Sequence, residues 1–159
     1  TFSGSQRGRM YVKNLTTGSH KRCSIGNSAH LGNHLKNNAQ ISWVNYAGLE
    51  SDKYHDLAKR MASGKPSSII SFGIKGGEEA GAKFIDALQM IKRLVNIGDA
   101  KSLACHPAST THSHISAEAM LEGGLSDDMI RLSVGLEHVS DIIADFEQGF
   151  KAAARKTKS

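Results

Sequence analysis

The stretch SLACHPASTTH, from Ser102 to His112, sets one cysteine, two histidines, one proline and four hydroxyl residues side by side. Residues of these types do three kinds of work. Cys105, His106, His112 and the nearby His114 are all zinc-ligand types. A structural zinc site, however, wants two compact ligand pairs, and here everything falls in one loop. Cys105 and His106 are also the types of a nucleophile and its base, but neighbouring side chains of an extended segment point to opposite faces. The third reading is a defined loop, rigidified by Pro107, whose hydroxyls serve its own backbone. The residues favour this last reading, with no metal.

Two other places invite chemistry. Gly73, Gly76, Gly77 and Gly81 lie between an expected strand and an expected helix. No Lys-Ser/Thr pair closes a phosphate loop there, and the spacing is not that of a dinucleotide fingerprint. Glu78 and Glu79 would also repel a phosphate from the helix start, so the glycines read as a turn. In MIRLSVG, Ile130, Leu132 and Val134 share one strand face, and Arg131 and Ser133 share the other. A strand arginine is either an exposed charge or a planar fork for a carboxylate or phosphate. The pattern leaves both open.

These residues need elements to hold them. QISWVNY, with Ile41, Trp43 and Asn45 alternating, predicts a strand. ESDKYHDLAKRM predicts a helix with Tyr54, Leu57, Ala58 and Met61 on one face and Asp52 near its start. SIISFGI is a second strand. KGGEEAGAKFIDALQMIKRLVN predicts one long helix, with Phe84, Ile85, Leu88, Ile91 and Leu94 or Val95 at helical spacing and Lys92 and Arg93 in its last turn. SLACH is a short strand, SAEAMLEGG a short helix ended by glycines, and MIRLSVG a strand. VSDIIADFEQGFKAAARK is an amphipathic helix with Val139, Ile142, Ile143, Phe146, Phe150 and Ala153 on one face and Ser140 as its N-cap. The alternation predicts one sheet with helices packed on it.

Composition narrows the class. The 159 residues suit a single domain with a modest core. The net charge of +5 is uneven: Thr1–Leu49 holds six basic residues and no acid, leaving 14 basic against 15 acidic residues beyond it. A nearly neutral remainder argues against a nucleic-acid-binding face. Two distant cysteines make no disulfide framework and imply a reducing, cytoplasmic setting. No apolar run reaches the length of a membrane span. Residues 1–37 lack sustained periodicity and read as an atypical basic arm, disordered or foreign to the domain that follows. Residues 156–159 read as a frayed tail.

WVNYAGL, SFGIKGG, NIGDAKSLACHPASTTH and RLSVGLEHVSDIIADFEQ, taken together and in this order, resemble the C-terminal part of the Cys/Met-metabolism family of pyridoxal-phosphate (PLP) enzymes, in particular the O-acetylhomoserine sulfhydrylases. The resemblance runs from about residue 38 to residue 153. It implies the α/β (α+β two-layer) small domain of the aspartate-aminotransferase-like fold, over residues 38–155: a mainly antiparallel sheet with helices on one side. It implies that Arg131 clamps a substrate α-carboxylate, that Asn96 contacts the same carboxylate, and that Thr111 lies on a loop lining the site. It implies pyridoxal 5'-phosphate as the cofactor and electron sink, a small amino-acid substrate, and homo-oligomers of the full-length enzyme. Methionine γ-lyase and cystathionine γ-synthase are the alternatives within the family, and a non-catalytic interaction module the alternative outside it. The family's Schiff-base lysine motif has no counterpart in the chain, so no catalytic residue and no cofactor-holding residue is assigned, and a fragment of a longer enzyme is expected.

Overall fold

The computed structural model of the chain describes residues 24–62, 65–110 and 117–155. In chain order its elements are α1 (Ser24–Lys36), β1 (Ile41–Asn45), α2 (His55–Met61), β2 (Ile69–Ile74), α3 (Gly77–Ala87), β3 (Lys92–Arg93), β4 (Leu103–Cys105), α4 (Ala117–Glu122), β5 (Met129–Ser133) and α5 (Val139–Ala153). The five strands form one sheet in the order β1-β2-β5-β4-β3. Every neighbouring pair is antiparallel except β3 with β4 at the edge. The predicted α/β class and the mainly antiparallel sheet are therefore both present.

Period-two alternation gives β2 and β5 an apolar face and a polar face. Ile70 lies opposite Leu132 and Phe72 opposite Ile130, and all four are fully buried. Ser71 lies opposite Arg131 on the other face. The apolar face is covered by α1, α3 and α5. Phe72, Phe84, Phe146 and Phe150 meet there, with ring centroids 4.9 to 6.0 Å apart in tilted and edge-on pairs, a favoured aromatic geometry. No helix among the described residues is long and apolar enough to cross a membrane.

The structure departs from the sequence reading in five places. First, the arm expected over residues 1–37 does not hold for its second part. Residues 24–36 are helix, and Leu31 and Leu35 are fully buried in the core. The glycines and asparagines that mask the periodicity have local uses: a Cβ on Gly32 would come within 2.8 Å of the Tyr46 ring. Residues 1–23 and 156–159 lie outside the described residues. Second, β1 does not alternate simply. A bulge between Ile41 and Trp43 turns Ile41 and Val44 to the core and leaves Trp43 opposite Gly73. The Trp43 indole then donates to Asp128 at 3.1 Å.

Third, α2 starts later than expected, and its apolar stripe is not buried: Tyr54, Leu57 and Met61 are 51%, 42% and 79% exposed. Fourth, α5 is capped by His138, whose Nδ1 accepts from the Ser140 N–H, rather than by Ser140.

The fifth departure shapes the rest of the molecule. The long helix expected through Asn96 stops at Ala87, and Leu88 is already extended. The Asp145 carboxylate, from α5, accepts the N–H groups of Gln89 (2.9 Å), Met90 (3.1 Å) and Ile91 (2.9 Å). In a continued helix those three groups would bond to carbonyls one turn back. Apolar spacing alone cannot reveal such a competitor, so Lys92 and Arg93 become an edge strand instead of a last helical turn.

Asp145 is buried, so removing it leaves three backbone donors without partners. Asp145→Ala is expected to lower the unfolding free energy by about 3 kcal/mol in urea melts. Glu79→Ala, which breaks the exposed Glu79–Lys83 pair on α3, should cost under about 1 kcal/mol. Equal losses for the two variants would show that Asp145 is not what ends α3.

Candidate substrate-carboxylate site

Arg131 stands at the middle of β5 on the face away from the helices. Register places Ser71 of β2 on one side of it and Cys105 of β4 on the other, and directly opposed residues of antiparallel strands project to the same face. Ser133, two residues on, shares that face and is buried. As a residue Arg131 is half-buried, and the hydrogen bond that its guanidinium makes is exposed. Its Nη2 donates to the Val95 carbonyl. Among the described residues no carboxylate pairs with it, and the ion pairs present are His34–Glu147, Glu79–Lys83 and Asp86–Arg93.

Asn96 follows Val95 directly and is exposed. It belongs to the segment 94–102, which crosses the polar face of the sheet between β3 and β4. This segment is tied to β5 and its continuation along its length. The Gly98 N–H donates to Ser133 Oγ at 3.2 Å, and the Leu136 N–H donates to the Ala100 carbonyl at 2.9 Å. Gly98 has φ +80°, with open space where a Cβ would be, so glycine serves the turn rather than a close contact. Arg131 and the backbone at Asn96 are therefore neighbours. Thr111 lies outside the described residues.

The loop that follows β4 is held by its own polar groups, as its composition suggests. The His106 ring is fully buried. Its Nε2 lies 2.7 Å from the Asp127 carbonyl and its Nδ1 lies 2.8 Å from Ser109 Oγ. A carbonyl only accepts, so these partners assign the proton to Nε2 and make the hydroxyl the donor to Nδ1. Thr110 Oγ1 donates back to the His106 carbonyl at 2.7 Å. A Cβ on Gly81 would sit 2.6 Å from His106 Nε2, so α3 approaches this ring closely only because it has glycine there. Gly76 and Gly77, at φ +108° and +64°, form the turn into α3. Among the described residues no three His, Cys, Asp or Glu side chains are grouped to hold a metal ion. His112 and His114 lie outside the described residues.

Cys105 is buried beside Arg131. Burial pushes its thiol up from the ordinary value of 9.0, and the attraction and hydrogen bond of Arg131 offset this only in part. The thiol is therefore neutral at pH 7 and leaves the arginine charge uncompensated.

Three positions with structural roles at this site went unnoticed in the sequence. Glu137 is buried and accepts from the N–H (2.7 Å) and the hydroxyl (2.8 Å) of Ser102. Asn27 of α1, also buried, donates to the carbonyls of Gly135 (3.1 Å) and Glu137 (2.8 Å). Asp145 holds residues 89–91, which lead through β3 into the crossing segment. Only Asp145 left a signal, being an acid on the α5 stripe of Ile142, Phe146 and Gly149. The partners of Glu137 and Asn27 are too distant in the chain for any local pattern.

Residues 20–151 match the family described as Cys/Met metabolism PLP-dependent enzyme. The chain is 47% identical over 124 residues to O-acetyl-L-homoserine sulfhydrylase 1 of Thermus thermophilus, which covers 78% of this chain and 30% of that protein. It is 41% identical over 143 residues to L-methionine gamma-lyase of Pseudomonas putida, covering 90% of this chain and 35% of that protein. Among solved structures, it superposes with a TM-score of 0.75 and 38% identity on a Campylobacter jejuni chain described as an O-acetylhomoserine (thiol)-lyase. That structure contains N'-pyridoxyl-lysine-5'-monophosphate, and the overlap is 82% of this chain and 31% of that one. A cystathionine gamma synthase from Xanthomonas oryzae, in complex with cystathionine, gives a TM-score of 0.72 at 32% identity over 83% of this chain and 34% of that one. The chain belongs to the Cys/Met-metabolism family of PLP-dependent enzymes, and it spans about a third of the length of these relatives.

The described residues do not build a site for that cofactor. Every described lysine is exposed except Lys83, which is half-exposed and paired with Glu79. Pyridoxal phosphate added to this chain is therefore expected to give no stoichiometric aldimine band, and borohydride should fix no single lysine. One specifically labelled lysine would overturn the assignment. The thiol yields a second expectation. Well below pH 9 Cys105 is protonated in folded and unfolded chains alike. As pH rises past that value the unfolded thiol gives up its proton first, so the folded state loses stability until the folded thiol titrates. Cys105→Ala should remove that share of the alkaline decline in melts from pH 8 to 11, and identical curves would refute it.

Proposed function

We propose that this chain is the carboxylate-binding part of a PLP-dependent O-acetylhomoserine sulfhydrylase. The parent reaction replaces the acetate of O-acetyl-L-homoserine with sulfide or a thiol, giving homocysteine or methionine. One observation carries the local part of this reading: Arg131 is half-buried on the polar sheet face between Ser71 and Cys105, and among the described residues no carboxylate pairs with it. One neutral backbone acceptor leaves the guanidinium charge uncompensated, and a bidentate carboxylate is the ligand that its planar donors suit best. Asn96 lies one residue beyond the carbonyl that Arg131 holds and serves the same carboxylate, and the family resemblance assigns Thr111, outside the described residues, to the same pocket. The active unit is a homo-oligomer of a longer chain, with the lysine that binds the cofactor contributed by residues not present here.

The similarity to methionine γ-lyase over 90% of the chain supports a second reading, since an α-carboxylate fork serves either reaction. NIGDAKSL, with Asn96 and Lys101, favours the sulfhydrylase. Assays of the full-length protein with O-acetylhomoserine plus sulfide, against methionine and against cystathionine, separate them; absence of homocysteine from the first assay would reject our reading.

In that full-length protein, Arg131→Ala should lower kcat/KM by roughly 30- to 1000-fold, corresponding to about 2–4 kcal/mol of transition-state stabilisation. Much of the loss should appear as weaker substrate binding, with cofactor absorbance nearly unchanged. Arg131→Lys keeps the charge without the fork and should recover only part. Wild-type kinetics for Arg131→Ala would reduce the residue to a surface charge.

A further inference from the structure

Two buried carboxylates hold the chain before and after the segment that carries Asn96. Asp145 holds the entrance through the N–H groups of Gln89, Met90 and Ile91. Glu137 holds the exit: its Oε1 accepts from the Ser102 N–H and its Oε2 from the Ser102 hydroxyl. Ser102 Oγ in turn accepts from the Gly135 N–H at 2.9 Å. Asn27 closes the ring from α1 by donating to the carbonyls of Gly135 and Glu137. The fit is close, since a Cβ on Gly135 would lie 2.5 Å from both Ser102 N and Glu137 Oε2.

A buried carboxylate satisfied only by neutral donors is an expensive way to close a turn, because each donor must be aimed at it. What this one achieves is a fixed position for Ser102 relative to the end of β5. From Ser102 back to the carbonyl that accepts from Arg131, the ties to β5 and its continuation among the described residues are Ala100 to Leu136 and Gly98 to Ser133. At its other end the Leu94 N–H donates to the Ala104 carbonyl at 3.2 Å, so the height of Asn96 and of the Val95 carbonyl over the guanidinium depends on this tie to β4 and on where Ser102 is anchored. The Val95 carbonyl in turn orients the fork by engaging Nη2.

We propose that Glu137, acting through Ser102, is a positioning residue for the carboxylate site: it sets the 94–102 segment so that Arg131 presents its free donors and Asn96 stands beside them. This rests on Arg131 being the carboxylate fork, and the test separates the two ideas. Glu137→Gln keeps the volume and one acceptor. Ser102→Ala removes the hydroxyl that both Glu137 and Gly135 use. Each is compared, in the full-length PLP-loaded protein, with Arg131→Ala and with Phe150→Leu, a core change remote from the segment that lowers stability.

The positioning variants should raise KM for O-acetyl-L-homoserine by roughly 3- to 10-fold with kcat within about two-fold, as expected when a binding contact is misplaced rather than removed. Phe150→Leu should lower the melting temperature and leave KM alone. On the 159-residue chain itself, amide exchange at Gly98 should speed up in both Glu137→Gln and Ser102→Ala. If Arg131→Ala raises KM while both positioning variants keep wild-type KM, or if Gly98 exchange does not change, the inference is overturned and the fork stands. If Arg131→Ala has no effect, the fork and this inference fall together.

Discussion

A single buried carboxylate decides how the second half of this chain is laid out. Asp145 sits on the inner stripe of α5, where a hydrophobic residue would ordinarily pack, and gathers three consecutive backbone N–H groups. Hydrogen bonds to an ionised acceptor are about twice as strong as neutral ones, so three of them outweigh the helical bonds that Gln89, Met90 and Ile91 would otherwise form. Without that carboxylate, the apolar spacing through Val95 would carry α3 onward and there would be no edge strand β3. The segment that returns across the polar face to Ser102 would have no fixed origin. The helix layer thus places the site-bearing segment on the opposite side of the sheet, through one side chain.

Much of the fold was legible because the sheet obeys a simple rule. Ile70, Phe72, Ile130 and Leu132 alternate cleanly, and the face they define is the face the helices cover. Arg131 and Ser133 were correctly assigned to the other face on the same rule. The failures share a different cause. Tyr54, Leu57 and Met61 have the spacing of a buried stripe yet remain exposed, because spacing reports which residues share a face and not whether anything packs on it. α1 was hidden for the converse reason: its buried face uses Asn27, Ser28 and Gly32 beside Leu31 and Leu35, so polar burial and close approach replace hydrophobic contrast. Long-range polar closures such as Glu137 with Ser102 have no local period at all.

The candidate site shows the same division. A strand arginine between neutral neighbours was recognisable by residue type, whereas its meaning depended on what stood around it. The structure supplies those surroundings: Ser71 and Cys105 across the strands, the Val95 carbonyl above, and, among the described residues, no paired carboxylate. Each surrounding group is neutral, and the thiol is kept so by its burial. An exposed arginine would gain little from such an arrangement, because water screens it. Arg131 is only partly exposed, and its charge is balanced by nothing that the described residues provide.

The Val95 carbonyl refines the argument. One backbone acceptor takes one of the five guanidinium hydrogens and neutralises none of the charge. It does remove a rotational freedom: with Nη2 engaged on one side, the remaining donors present a defined edge rather than sweeping the face of the sheet. A lysine in the same place would turn about its ammonium and offer no edge. Orienting a fork in advance lowers the entropy lost when a planar anion binds. The identity of residue 131 and the path of segment 94–102 are therefore parts of one device. The carbonyl that fixes the fork and the asparagine proposed to flank its ligand are consecutive residues, so a displacement of the segment moves both at once.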